Sequence, residues 1–206
     1  MIQPDTPDAR TPSGPPGVRS TARRRRSSQT PYGIALLVAG LLVGVAWLTQ
    51  GHFEPVVAGH HAPEFLVTTL DDQSVGLDHY QGKVVLLNVW ATWCAPCLEE
   101  MPSMERLYQQ LSGTDFEILA VSVDFPVEGG APVEALESFA RELDLSFPIL
   151  YSPPGTPESI QEIFQTAGVP ESFLIGKDGV IYRRVAGPTA WDAPQYREQI
   201  LRLLGE

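Results

Sequence analysis

The only two cysteines of this 206-residue chain, Cys94 and Cys97, stand three positions apart in Trp93-Cys94-Ala95-Pro96-Cys97. A disulfide framework would need more cysteines set further apart, and a zinc site two further ligands. A pair at this spacing suits thiol–disulfide exchange, in which one thiolate attacks a disulfide sulfur and the second thiol resolves the mixed disulfide. Val84 to Trp90 before the pair is a nearly continuous apolar run, as in a strand buried on both faces. From Pro96 to Leu111 the chain reads as a helix kinked at Pro102. Cys94 then sits at a helix N-terminus, where unpaired backbone N–H groups and the positive end of the dipole favour a thiolate. Pro96 suits the first turn, because its missing N–H has no intrahelical partner there. Cys97 lies on the same side, deeper in the helix. Cys94 is read as the nucleophile and Cys97 as the resolving thiol. The alternative, an inert disulfide or half a metal site, is disfavoured by the strand–CxxC–helix context.

The elements that must hold this motif follow from periodicity and turn residues. Phe65 to Leu70 and Val75 to Leu77 flank Asp71-Asp72-Gln73-Ser74 and predict a hairpin. Phe116 to Val123 is a second buried strand, and Phe147 to Leu150 a third. Val133, Leu136, Phe139, Ala140 and Leu143 recur at helical spacing within Pro132 to Leu143. Glu158 to Ala167 reads as another helix. Ser172 to Ile175 and Val180 to Val185 are strands joined by a Lys177-Asp178-Gly179 turn, and Asp192 opens a last helix ending near Leu204. Strands alternating with helices predict an α/β fold.

Charge divides the chain. Residues 1–30 hold six of its 14 basic and two of its 25 acidic residues, leaving 8 basic and 23 acidic beyond them, a net of -15. So acidic a region lacks the basic face that nucleic acid requires. Residues 1–30, rich in Pro, Ser, Thr and Arg, read as a disordered cytoplasmic segment. Residues 32–48 are uncharged and apolar, follow Arg23 to Arg26, and carry Tyr32 and Trp47 at their ends. That pattern predicts a signal-anchor of about 17 residues, single-pass in the cytoplasmic membrane, with everything after residue 50 outside. A cleaved signal peptide is the alternative, with only a weak site at Val56-Val57-Ala58, and it leads to the same compartment. Residues 49–62, including His60-His61, read as a linker, and 63–206 as the folded domain.

From about residue 60 onward the chain resembles the TlpA/ResA/CcmG-like membrane-anchored thioredoxins. The resemblance is carried by Leu87-Asn88-Val89-Trp90-Ala91-Thr92-Trp93-Cys94-Ala95-Pro96-Cys97, by Glu99-Glu100-Met101-Pro102, and by Gly168-Val169-Pro170-Glu171-Ser172-Phe173-Leu174-Ile175 with Asp178-Gly179. It implies a thioredoxin-like fold: a central mixed sheet flanked by helices, with an N-terminal hairpin and a helix–strand insertion around 132–150. It also implies that Pro170 is cis and faces the cysteines, leaving the Val169 backbone to pair with a substrate strand. Glu100 matches a glutamate that the group places near the pair. It would raise thiol pKa values and exchange a proton with Cys97, whereas a solvated helix glutamate would do neither. Glu171 would tune the site or contact a partner, or else be a strand-entrance surface charge. Asn88 stands where cytosolic thioredoxins carry a buried aspartate, so Glu100 would serve as base. Trp93 would line the substrate surface and Trp90 the core.

The implied reaction needs no bound cofactor or metal. Its clients would be disulfide-containing extracytoplasmic proteins, apocytochromes c among them, and its electrons would come from a membrane carrier of the DsbD/CcdA type. Two rivals stay open. A peroxiredoxin-type peroxidase needs a threonine three residues before its reactive cysteine, where this chain has Ala91. A copper metallochaperone of related fold uses CxxxC and a distant histidine.

Overall fold

Seven residues in β3 (Val84–Trp90) and seven in β4 (Phe116–Ser122) are all buried, so both strands are covered on both faces. They pair in parallel from Val84 opposite Phe116 to Trp90 opposite Ser122. The computed structural model describes residues 30–49, 56–127 and 131–205. Around the central pair, β1 (Val67–Thr69), β2 (Ser74–Val75), β5 (Ile149–Tyr151), β6 (Glu171–Ile175) and β7 (Ile181–Ala186) complete a mixed sheet of order β2-β1-β5-β4-β3-β6-β7. β4 and β5 are parallel. β6 runs antiparallel to β3 and to β7, and β1 antiparallel to β5 and β2.

The expected hairpin is β1–β2, with Val67 opposite Val75. The helix–strand insertion is α3 (Val133–Glu142) followed by β5, which lies between β4 and β1. α2 (Ala95–Gln110) runs unbroken through Pro102 and buries Cys97, Glu100, Met101, Met104 and Leu107, one stripe at helical spacing. α5 (Pro194–Gly205) closes the fold. Gly179 takes φ +77 in the turn before β7, a conformation that suits a residue without Cβ.

The helix expected over Glu158–Ala167 is a correction: only α4, Ile160–Ile163, is helical. Gln165 turns to φ +50, its N–H bonding to the Glu162 carbonyl (3.2 Å), and the Thr166 N–H bonds to the Gln161 carbonyl (3.0 Å). This left-handed stop ends the helix after one turn. Ile160 and Phe164 are already fully buried by that turn.

Residues 56–62, expected to be linker, are bonded to the sheet end. Gly59 donates to the Ile181 carbonyl (2.8 Å), Ile181 to His60 (2.8 Å) and Ala62 to Gly179 (2.9 Å), while Val56 is buried. Of the segment expected to be disordered, 1–30, residues 1–29 lie outside the described residues, as does the remainder of the expected linker, 50–55. α1 (Thr30–Thr49) is a separate 20-residue helix without a charged side chain. Side-chain exposure in it is described for 32–42 and Gly44 alone. Among the described residues no helix is long and apolar enough to cross a membrane. The spanning reading of 32–48 therefore rests on the sequence.

Candidate active site

β3 delivers the chain to a tight turn in which the Cys94 N–H bonds to the Ala91 carbonyl (3.1 Å). Cys94 is the N-cap of α2, with extended backbone, and Pro96 lies in the first helical turn. The Cys97 N–H donates to Cys94 Sγ at 3.3 Å. That donor would be strengthened by a charge on sulfur, so the helix end stabilises the Cys94 thiolate. Cys94 and Cys97 are joined in a disulfide with Cα atoms 5.3 Å apart. Cys97 is fully buried, while Cys94 keeps 5% of its surface in solvent. Of the two, Cys94 alone keeps any of its surface in solvent, and it stands at the helix end, the asymmetry that a nucleophile and a resolving thiol call for.

Glu100, one turn below Cys97, is buried rather than solvated. Asn88 Nδ2 donates to Glu100 Oε1 at 2.8 Å and to Ser172 Oγ at 2.9 Å, and the Thr189 N–H donates to Glu100 Oε2 at 3.0 Å. Burial pushes the carboxyl up to about 7, and the bonds from Asn88 and Thr189 hold back part of the rise. The buried Trp191 indole N–H, which has no hydrogen-bond partner of its own, also opposes the rise. A carboxyl balanced near neutrality beside a thiol pair can take and return the proton of the resolving cysteine. Asn88 Oδ1 has no partner and is buried, so the amide serves the site as a donor. Ser103 Oγ, bonded to the Glu100 and Thr189 carbonyls and receiving the Trp191 N–H, ties the 189–191 segment to α2.

The Val169–Pro170 bond is cis. Val89 lies opposite Glu171 in the β3–β6 register, so Pro170 falls beside Trp90, where the cysteine turn begins. No backbone hydrogen bond among the described residues engages Val169. Glu171 is placed differently from either expectation. It is buried, accepts from Arg184 Nε at 2.6 Å and receives the Ala167 N–H at 3.0 Å. Adjacent strand residues face opposite sides of a sheet, and Ser172 is the one that joins the Asn88–Glu100 cluster. Glu171 thus points away from that cluster and is spent on Arg184.

Trp90 is fully buried in the core, as expected, and Trp93 is 59% exposed next to Cys94 in the chain. The sequence reading missed the corner after β4. Asp124 is buried there. Its carboxylate accepts the Thr92 hydroxyl at 2.6 Å, the Thr92 N–H at 3.0 Å and the Ser122 hydroxyl at 2.6 Å. Next to it, Phe125 stacks on Trp93 with ring centroids 6.5 Å apart. A carboxylate directly after a buried parallel strand was the available signal, since such strand ends line sites in α/β sheets. The same contact bears on the peroxidase rival: Ala91 stands three residues before Cys94, and the neighbouring Thr92 hydroxyl is committed to Asp124.

A cysteine pair at the N-terminus of a helix, fed by a central strand, flanked by a cis-proline and backed by a buried carboxyl, defines a thioredoxin-like dithiol–disulfide exchange domain. Residues 58–184 match the AhpC/TSA family. The chain is 38% identical over 160 residues to the thiol-disulfide oxidoreductase ResA of Bacillus cereus, covering 75% of this chain and 85% of that protein. ResA of Geobacillus kaustophilus is 36% identical over 146 residues, covering 70% and 79%. A Chlorobium tepidum crystal structure, of a protein assigned as the thiol:disulfide interchange protein DsbE, superposes with a TM-score of 0.61. That pair is 28% identical, over 72% of this chain and 98% of the other. The chain belongs to the AhpC/TSA family, in the company of the ResA thiol-disulfide oxidoreductases, and the resemblance carried by its motifs is borne out.

Proposed function

We propose that this protein is a protein-disulfide reductase working outside the cytoplasmic membrane, tethered there by residues 32–48. The observation that carries the reaction is the asymmetry of the pair: Cys94 caps α2 and keeps a small part of its surface in solvent, and Cys97 is fully buried one turn from a carboxyl near neutrality. Cys94 thiolate attacks one sulfur of a client disulfide and the other leaves as a thiolate. Cys97, losing its proton toward Glu100, then attacks Cys94 Sγ, forming Cys94–Cys97 and freeing the second client thiol. Two electrons pass to the client, and the oxidised pair must be reduced by another dithiol. A membrane thiol carrier of the DsbD/CcdA type suits that task, and disulfides of apocytochrome c haem-attachment cysteines suit the client role.

The tether is supported by the sequence: residues 32–48 are uncharged and apolar, with Arg23 to Arg26 on their N-terminal side and Tyr32 and Trp47 at their ends. Acid-quenched alkylation in the native cell with a mass-shifting reagent tests the direction of electron flow. A mostly reduced Cys94–Cys97 pair in an oxidising compartment supports the reductase. A pair mostly oxidised, and unchanged when the membrane donor is removed, overturns it in favour of an oxidant.

A further inference from the structure

The sheet puts a second wall beside Cys94. β3 is flanked at its C-terminal end by β6 with Val169–Pro170 on one side and by β4 with Asp124–Phe125 on the other. Phe125 is 71% exposed, the most exposed large apolar side chain among the described residues of 56–205. Its ring does not fold back onto the core but stacks on Trp93, itself 59% exposed, at an interplanar angle of 24°. Two aromatic rings left in water together form an apolar patch that begins at Trp93, the residue next to Cys94, the less buried cysteine of the pair. Asp124, between β4 and Phe125 in the chain, fixes the backbone on which both rings are carried. The Thr92 N–H and hydroxyl that it accepts tie the corner after β4 to the turn that carries Trp93 and Cys94, and the Ser122 hydroxyl braces the carboxylate from β4.

We infer that Phe125, paired with Trp93, is a specificity-determining residue, and that it receives a bulky apolar side chain flanking the client's cysteine. The inference rests on the exchange reaction proposed above and names the kind of client segment it takes. An extended segment whose cysteine reaches Cys94 lies between Val169 on the β6 side and the Trp93–Phe125 rings on the β4 side, so a side chain flanking its cysteine on the β4 side meets the rings. Asp124 acts through the corner and touches no client. A charged or small neighbour would leave both rings wet, whereas an apolar one removes them from water.

The test uses the reduced full chain in detergent and three probes: a disulfide-bonded model peptide with Leu beside its cysteine, the same peptide with Ser there, and hydroxyethyl disulfide. The readout is the second-order rate of the first attack. Wild type is expected to prefer the Leu peptide by about tenfold, the worth of roughly half a phenyl ring removed from water. Phe125→Ser is expected to lose that preference while its rate on hydroxyethyl disulfide stays within about twofold, and Phe125→Leu to restore most of it. An unchanged preference in Phe125→Ser overturns the inference. So does an equal fall on hydroxyethyl disulfide, which would make Phe125 a support of the thiol instead. A wild type that reacts with none of the three overturns the exchange reading itself, and this inference with it.

Discussion

Cys94 and Cys97 share a helix end but not an environment, and the difference sets their order of action. Cys97→Ser is expected to arrest the reaction after the first attack and accumulate client adducts through Cys94, visible as gel-shifted species that vanish on reduction. Glu100 makes a second residue-scale prediction. Its folded-state value of about 7 lies above the ordinary 4.5, so the native state holds a proton that the unfolded chain releases between those values. The stability from that proton is complete below pH 4.5 and is lost as the pH rises through 7, a fall on the order of 3 kcal/mol. Glu100→Gln should flatten this fall, measured as the urea midpoint against pH. The same variant should slow resolution by Cys97 while sparing the first attack by Cys94. Equal slowing of both steps would count against a proton-transfer role.

Elements decide which of the charged residues near the motif belong to it. The alternation of β6 sends Ser172 to the Asn88–Glu100 cluster and Glu171 to Arg184 on the other face. Arg184 also donates to the carbonyls of Val56 (2.9 Å) and Gln165 (2.7 Å), joining β7 to two neighbouring segments. Removing it strands a buried carboxylate, so Arg184→Ala is expected to cost about 3 kcal/mol by chemical denaturation. Adding Glu171→Gln should return part of that loss, whereas additive losses would mean the two do not act as a pair. β3 is the other element at stake. Leu87 is fully buried at its centre, and Leu87→Ala should cost about 2–5 kcal/mol without altering the reactivity of Cys94 once the protein is folded. The short α4 belongs to the same scale. The Glu158–Ala167 stretch has the composition of a helix, but burial of Ile160 and Phe164 within one turn and the left-handed Gln165 end it early. Local propensity yielded there to packing.

For the whole molecule, the contrast is between an uncharged helix, α1, and an acidic α/β body. If 32–48 span the membrane, the full chain should remain with the pellet after an alkaline carbonate wash. Protease added outside intact spheroplasts should then digest the body. Release of the chain by carbonate would remove the tether, and protection from the protease would remove the extracytoplasmic placement. Neither result would touch the exchange chemistry, which resides wholly within 56–205.

Much of this was legible along the chain, for reasons that are local. β3 and β4 announce themselves because strands buried on both faces must be apolar throughout, and the cysteine spacing announces the redox pair because a helix turn brings residues three apart to one side. Cys94 at the N-cap, Pro96 in the first turn and Trp90 in the core follow from those two facts. What the sequence could not decide is which distant groups meet. Asp124 and Phe125 reach Thr92 and Trp93 only because β4 lies parallel to β3 with Ser122 opposite Trp90. Thr189 reaches Glu100 across 89 positions. Glu171 is turned from the site to Arg184 by a pleat that no local pattern specifies. A carboxylate's role depends on what surrounds it, and only the packed sheet brings those surroundings together.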